Sequence, residues 1–528
     1  MVELTKQANP GGLGPTRVLL HRPPALTSPF MLPTTGESEQ AATGERGRAR
    51  AALLPQRVFK KPWPCEAAFI VNILVFVYGA SIGWMSPMTL LLQSDKSPVG
   101  RPLSDAEISW IASIAYLTCV PADFLIAYLS DKIGRKNSLF LLSLTSVCCW
   151  AIKLCSYEVW AFVLARALMG IVMGGAYVTC PLYTKDISED SVRGLLGSLV
   201  ILFHTTGNLF SYIIGDLLSF RIVLWICLTI AIFHLILCII IPESPSFLIK
   251  QGKEDKAVKI LAWLRCRRET DSLVQREIEI IKKEQKTDEN SSNFALKAIL
   301  KDKILFRAFK IAIIVALARE VCGAIPVLNF AGDIFATASK GTNFVLTPNQ
   351  QAMMLGLIQV TGSMLGSSVV EKAGRKALLA VTALISGISM CALASWFVAK
   401  SYGVDAASWL PLATLCICIF CDSSGLQPVS VIITSEIFSY KYRGTVMGTA
   451  MAAAAVCAFI QMFFFKNLAT SIGLHVSFYF FGAVCMFAAL YTILVIPETK
   501  LRSLEEVHQD LRTKKEKREE KALKEVSV

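Results

Sequence analysis

The sequence predicts an all-α membrane protein whose twelve transmembrane helices form two pseudo-symmetric six-helix bundles. Three observations predict it. Of 528 residues, 54% are hydrophobic and the mean hydropathy is +0.52, more apolar than a soluble chain of this length requires. Apolar runs repeatedly reach the roughly 20 residues that cross a bilayer as a helix. The chain also repeats itself. Asp131-Lys132-Ile133-Gly134-Arg135-Lys136 returns as Glu371-Lys372-Ala373-Gly374-Arg375-Lys376. Asp186, with Arg193-Gly194 after it, returns as Glu436 with Arg443-Gly444, and Pro242-Glu243-Ser244 returns as Pro497-Glu498-Thr499. All three landmarks are displaced by nearly the same amount, which indicates a duplicated half.

Residues 1–60 are rich in Pro, Gly, Ser and Arg, lack apolar periodicity and read as a flexible basic cytoplasmic tail. They also lack the apolar core of a signal peptide, so the first span is expected to stay in the mature protein. Six spans are expected at 68–92, 107–129, 138–156, 159–180, 195–215 and 222–241, within a bundle over 61–249. Residues 250–303 are highly charged with Ile and Leu at helical spacing, and read as a cytoplasmic linker of short amphipathic helices. The second six spans are expected at 305–335, 350–370, 377–398, 408–434, 444–465 and 476–496, within a bundle over 304–499. A charged cytoplasmic tail, 500–528, ends the chain, with Ser503 and Glu506 spaced as a capping box.

Charge sets the topology. Lys132, Arg135, Lys136, Lys185, Arg193, the linker, Lys372, Arg375, Lys376, Lys441, Arg443 and the tail all fall on one side of the spans, and few basic residues fall on the other. Both termini are therefore expected in the cytoplasm. Asn290-Ser291-Ser292 is a glycosylation sequon, but that topology places it inside and unused. The net charge of +13 is explained by these loops, and no aromatic-basic platform for nucleic acid accompanies it. Of sixteen cysteines only Cys65 and Cys266 lie clearly outside apolar runs, which fits small apolar side chains rather than a disulfide framework or a metal site. No phosphate-binding loop and no nucleophile–base pair stands out, so no cofactor, no metal and no enzyme activity is expected.

Together the landmarks resemble the sugar porter family of the major facilitator superfamily, over about residues 68–506. The resemblance also rests on Arg166-x-x-x-Gly170-x-x-x-Gly174, on Pro181 to Ser188, on Pro242 to Leu248 and on Pro497 to Lys500 followed by Ser503 to Glu506. Gly83-Trp84-Met85-Ser86-Pro87 looks like the insect trehalose-transporter branch. The fold implied is the major facilitator fold, with a central cavity between the bundles. The resemblance implies a cytoplasmic gate of Asp131, Arg135, Asp186, Arg193 and Glu243 in the first half and Glu371, Arg375, Glu436, Arg443 and Glu498 in the second. Such clusters would hold the inner ends of the bundles together while the cavity faces out. Exposed pairs contribute only ~0.2–1 kcal/mol each, which suits a switch between states of similar free energy. The plainer reading, ordinary positive-inside charges, does not account for the patterned acids.

Departures fall at the substrate positions. Where the family carries Gln-Gln-Leu-Ser-Gly-Ile-Asn in the seventh span, this chain has Arg319-Glu320-Val321-Cys322-Gly323-Ala324-Ile325. A fifth-span glutamine corresponds to Ile201, the tenth-span tryptophan to Val431 and the eleventh-span Asn-Trp to Ala454-Ala455, while Gln359 keeps its amide. The resemblance therefore places Ile201, Arg319, Glu320, Ile325, Gln359 and Val431 at the substrate. Asp123 and Asp422 are further charges inside apolar runs, each expected to face a cavity or a partner. Glu320 is expected to face the cavity, with Arg319 turned about 100° away toward Asp123 or Asp422. The expected function is facilitative transport of a sugar, a hexose or trehalose, by alternating access at the plasma membrane, since the first span lacks the acid that proton-coupled relatives carry. The expected partners are a small-molecule solute and the bilayer, with no nucleic acid and with the oligomeric state open. A carrier of another polar or charged solute, or a non-transporting nutrient sensor, stays open beside it.

Overall fold

Lipid offers a backbone N–H or C=O no partner, so a chain this apolar must close its hydrogen bonds within each segment. Every described span is accordingly helical. The computed structural model describes residues 62–189, 192–289, 295–340, 345–404, 407–500 and 502–512. The tail at 1–60, the sequon and the side chains of Arg193 and Glu371 lie outside the described residues. Lys61–Val528 forms one unit.

The first half comprises Pro62–Leu92, Asp105–Ile133, Arg135–Cys155, Val159–Ile187, Arg193–Leu217 and Phe220–Ile240. Cys65 thus belongs to the first span rather than to a loop. The first helix packs along the fifth and the second along the fourth. In the second half, Pro348–Ala373, Arg375–Ser401, Tyr440–Ser471 and Leu474–Val495 are single helices, and the seventh and tenth spans are interrupted. The ninth packs on the twelfth, while the eleventh meets the second and the eighth meets the fifth across the two halves. Eleven helical segments among the described residues are long and apolar enough to cross a bilayer. The eighth span, Pro348–Ala373, matches them in length but carries Asn349, Gln350, Gln351, Gln359 and several hydroxyl side chains.

The two interruptions depart from the uninterrupted spans that periodicity predicts. The seventh runs as Lys303–Glu320, Ala324–Asn329 and Ala331–Ser339. Gly323 sits at φ 92° between the first two pieces, where a left-handed residue ends one helix and starts the next. In the tenth, Leu410–Cys421 and Gln427–Glu436 flank a π-helical stretch, Asp422–Leu426. Pro428 has no N–H and crowds the carbonyl four residues back, so the helix widens there.

The linker forms Pro245–Lys250, Glu254–Leu264, Ser272–Glu289 and Ala295–Lys301. The first three bury their own core of Leu248, Ala257, Leu261, Ala262, Val274 and Ile278, while Ile299 of the fourth joins the core of the second half. Arg265 fastens this core to the fourth span, donating to Ile187 O at 2.8 Å and pairing with Glu277 at 2.6 Å. The tail helix Leu504–Asp510 starts at Ser503, whose Oγ accepts the Glu506 N–H at 3.3 Å.

Candidate functional site

The two halves meet around a cavity, and the two ends of that seam are built differently. One end carries the turns at Gly134 and Gly374 and is called the basic end; the opposite one is the far end. At the basic end each glycine alone separates two spans, Gly134 at φ 104° and ψ 160° and Gly374 at φ 88° and ψ 153°. That region is essentially restricted to glycine. Glycine offers no capping side chain, so a remote carboxylate supplies the cap. Glu243 accepts the Lys136 N–H at 3.0 Å, and Glu498 accepts those of Arg375 at 3.1 Å and Lys376 at 3.2 Å. An anion there meets both the unpaired N–H groups and the positive end of the helix dipole. Partial burial raises the Glu498 pKa, but the N–H groups of Lys500, Arg375, Lys376 and Thr499 outweigh it and hold the carboxyl below its ordinary range.

Arginines complete each cluster. Arg135 lies 2.9 Å from Asp131 and 3.6 Å from Asp186, and Arg375 lies 3.2 Å from Glu436. Ser244 Oγ donates to Asp186 at 2.5 Å as Thr499 Oγ1 donates to Glu436 at 2.5 Å. Asp131, Arg135, Asp186 and Glu243 are thus brought together, as are Arg375, Glu436 and Glu498, and each of these pairs stays within its own half. Arg443 stands apart: exposed, it donates to Phe438 O at 3.4 Å and meets no acid among the described residues. Ser244 and Thr499 were missed, although they occupy equivalent places in the repeated Pro-Glu-Ser and Pro-Glu-Thr.

At the far end the bonds cross the seam. Tyr212 OH donates to Leu328 O at 2.5 Å, the Gly332 N–H to Ser86 Oγ at 2.8 Å and Asn349 Nδ2 to Asp216 at 3.0 Å. Lys466, almost fully buried, contacts Asp333 in its own half and lies 3.9 Å from Asp105 in the other. Within Gly83 to Pro87, Ser86 supplies a cross-half acceptor, while Trp84 covers the buried Lys153 ammonium at 4.2 Å.

Between the ends lies a cavity of about 130 Å³ lined from both halves. The first half contributes Tyr78, Tyr116, Cys119, Asp123, Tyr177 and His204, and the second contributes Arg319, Glu320, Ile325, Asn329, Gln359, Asp422 and Gln427. His204 stacks on Tyr78 with ring centroids 5.3 Å apart. Gln359 Oε1 accepts from Asn208 at 2.8 Å across the seam, and Asn329 Nδ2 donates to Tyr116 OH at 3.2 Å. Among the described residues no cluster suited to a metal ion occurs.

Of the six residues placed at the substrate from sequence, Arg319, Glu320, Ile325 and Gln359 line this cavity. Ile201 does not, and Val431 lines a smaller neighbouring one. Each misses by about one turn in the same direction: His204 and Gln427, both nearer the far end, line the cavity instead. Arg319 does not swing away from Glu320; their side chains contact each other at the last turn before the break at Gly323. Asn329 escaped notice because it falls one turn beyond the position aligned with the family asparagine, past an interruption that hydropathy does not register. The tyrosines had no signal at all, being ordinary apolar-run residues in one dimension.

A family model described as "Sugar (and other) transporter" matches residues 67–511. The facilitated trehalose transporter Tret1 of Culex quinquefasciatus is 28% identical over 448 residues, covering 84% of this chain and 85% of that protein. Human solute carrier family 2, facilitated glucose transporter member 6, is 26% identical over 507 residues, covering 91% of this chain and 96% of that protein. The xylose transporter XylE from E. coli, solved in an inward open conformation, aligns with a TM-score of 0.68 at 20% identity, covering 84% of this chain and 99% of that one. At that identity the structural likeness establishes the fold.

Proposed function

The chain belongs to the sugar transporter family, and from that premise we propose that this multi-pass membrane protein is a facilitative carrier of a monosaccharide that works by alternating access. The observation that carries the reading is the position of the cavity: it lies on the seam, takes lining from both halves and has cross-half bonds at its far end. A rocking of one half on the other would break those bonds and open the far side. The volume supports a single sugar ring. About 130 Å³, at roughly 30 Å³ per water, holds on the order of four waters, closer to the bulk of one sugar ring than of two.

The basic end, with both tails and the linker, is assigned to the cytoplasm of a plasma-membrane protein, because Lys and Arg concentrate there. The clusters around Arg135 and Arg375 act as the cytoplasmic gate, approaching each other when the cavity opens to the far side. Arg193, Glu371 and Arg443 join them in that state. Counterflow in proteoliposomes tests the reading, with labelled glucose and labelled trehalose as probes. Saturable glucose exchange that equilibrates is expected, with trehalose the poorer substrate. Absence of exchange for both sugars sinks the proposal.

A further inference from the structure

Asp123 enters the cavity from the second span and Asp422 from the tenth, one carboxylate from each half. Among the described residues, the side-chain donor each one meets is a thiol: Cys119 Sγ lies 3.7 Å from Asp123, and Cys322 Sγ lies 3.8 Å from Asp422. A thiol is a weak donor. A carboxylate in the membrane interior is costly to insert and calls for a stronger partner. Arg319, the one guanidinium among the described lining residues, contacts Glu320 and is near enough to Asp422 to act on its charge, whereas Asp123 has no such neighbour there. The wall therefore presents three carboxylates against one guanidinium and one imidazole.

Asn329 is fully buried and directs its N–H donors to Tyr116 OH and Ile325 O, which leaves Oδ1 without a partner among the described residues. Gln359 has its oxygen occupied by Asn208, so its N–H groups remain for a solute hydroxyl. Among the described lining residues both kinds of group remain: acceptors at Asp123 and Asn329 Oδ1, and donors at the Gln359 amide and the Tyr78 and Tyr177 hydroxyls. A neutral hexose supplies hydroxyl donors but leaves the Asp123 charge uncompensated. An ammonium carries three donors, no acceptor and the opposite charge.

We propose that the cavity selects an amino sugar, its ammonium taken by Asp123 and its hydroxyls by Gln359 and the tyrosines. This rests on the carrier reading above and narrows its substrate class. The test is competition in proteoliposomes containing the full chain. Labelled glucose is exchanged against 2-amino-2-deoxyglucose, its N-acetyl derivative or unlabelled glucose, with and without an imposed pH gradient. The amino sugar is expected to compete at about tenfold lower concentration than either uncharged sugar, and Asp123→Asn should erase that preference. The parental comparison stands even if a variant fails to fold. Equal competition by all three overturns the proposal and leaves the carrier reading intact. Gradient-driven glucose accumulation that Asp123→Asn or Asp422→Asn abolishes also overturns it, because the carboxylates then serve protons. If no sugar is exchanged, the carrier reading falls and this inference falls with it.

Discussion

The far end and the basic end both use charge, but they use it between different partners. At the far end Lys466 reaches Asp333 within its half and Asp105 across the seam, and Tyr212, Ser86 and Asn349 add neutral bonds between halves. At the basic end Arg135, Arg375, Glu243 and Glu498 tie helix ends inside a single half. The first set fixes how the halves sit together. The second makes each half a body able to move as one. A carrier that rocks needs both: rigid halves and a seam whose bonds can be exchanged.

The largest expected effect falls on the far end. Lys466 is almost fully buried and serves two acids, so Lys466→Ala leaves both without a cation. Breaking a buried pair from one side costs about 3–5 kcal/mol, and the partly exposed acids should bring the cost toward the lower figure. A clear fall in the thermal unfolding midpoint in detergent is expected, together with slowed exchange. Asp333→Asn should cost more than Asp105→Asn, whose oxygen is 3.9 Å away. A Lys466→Ala protein that unfolds and transports like the parent would erase the distinction between the ends.

The second prediction concerns the turns that build the basic end. Alanine at either glycine enters a backbone region that costs roughly 1–3 kcal/mol for any other residue. At Gly134 the new Cβ would also lie 2.3 Å from Glu243 Oε2, whereas at Gly374 it would lie 3.1 Å from Glu498 Oε2. Gly134→Ala should therefore destabilise more than Gly374→Ala in thermal unfolding. The reverse order would mean that the carboxylate cap is more closely seated in the second half than in the first.

These turns were legible because a repeat compresses three-dimensional symmetry into one dimension. Asp131 to Lys136 and Glu371 to Lys376 announce two equivalent corners, and Pro-Glu-Ser and Pro-Glu-Thr announce the two caps. Hydropathy likewise gave the spans, since each must satisfy its backbone alone. The cavity was less readable. Arg319, Glu320 and Gln359 were found through position, and Asp123 and Asp422 through the cost of burying a charge. Asn329 and Gln427 were misplaced or overlooked because which turn of those helices reaches the solute depends on the breaks at Gly323 and Asp422–Leu426, and those leave no periodic trace, whereas His204 lies on the unbroken fifth span one turn from Ile201. The far-end tie was invisible for a different reason: Lys466, Asp333 and Asp105 are brought together by the packing of the seam and not by any spacing.

A smaller effect is expected from Glu498→Gln. Glutamine keeps the shape and an acceptor but removes the charge at the start of the ninth span, which is worth about 1 kcal/mol as a cap. The sign with pH follows from the lowered folded pKa of Glu498. A carboxyl depressed on folding stabilises above its unfolded pKa, and that contribution is lost as pH falls through the lower folded value. Parent and variant should therefore differ in unfolding midpoint at pH 7 and converge below about pH 4. A difference that persists unchanged into that acid range would show that the charge of Glu498 is not what caps the helix.

The smallest effect on stability, and the sharpest on the comparison, belongs to Arg443. Arg135 is 8% exposed and holds Asp131, Asp186 and the Ser130 carbonyl, so Arg135→Ala should lower the unfolding midpoint. Arg443 is exposed and makes one long bond to Phe438 O. Arg443→Ala should leave the midpoint within the ±0.5 kcal/mol of an ordinary surface change. If the two basic ends close on each other when the far side opens, Arg443 gains an acidic partner only in that second state. An exposed pair worth ~0.2–1 kcal/mol then shifts the balance of states by up to about fivefold. The expected signature is parental thermal stability with exchange slowed up to about fivefold. Parental exchange as well would reduce Arg443 to a surface charge and confine the gate to Arg135, Arg375 and their acids.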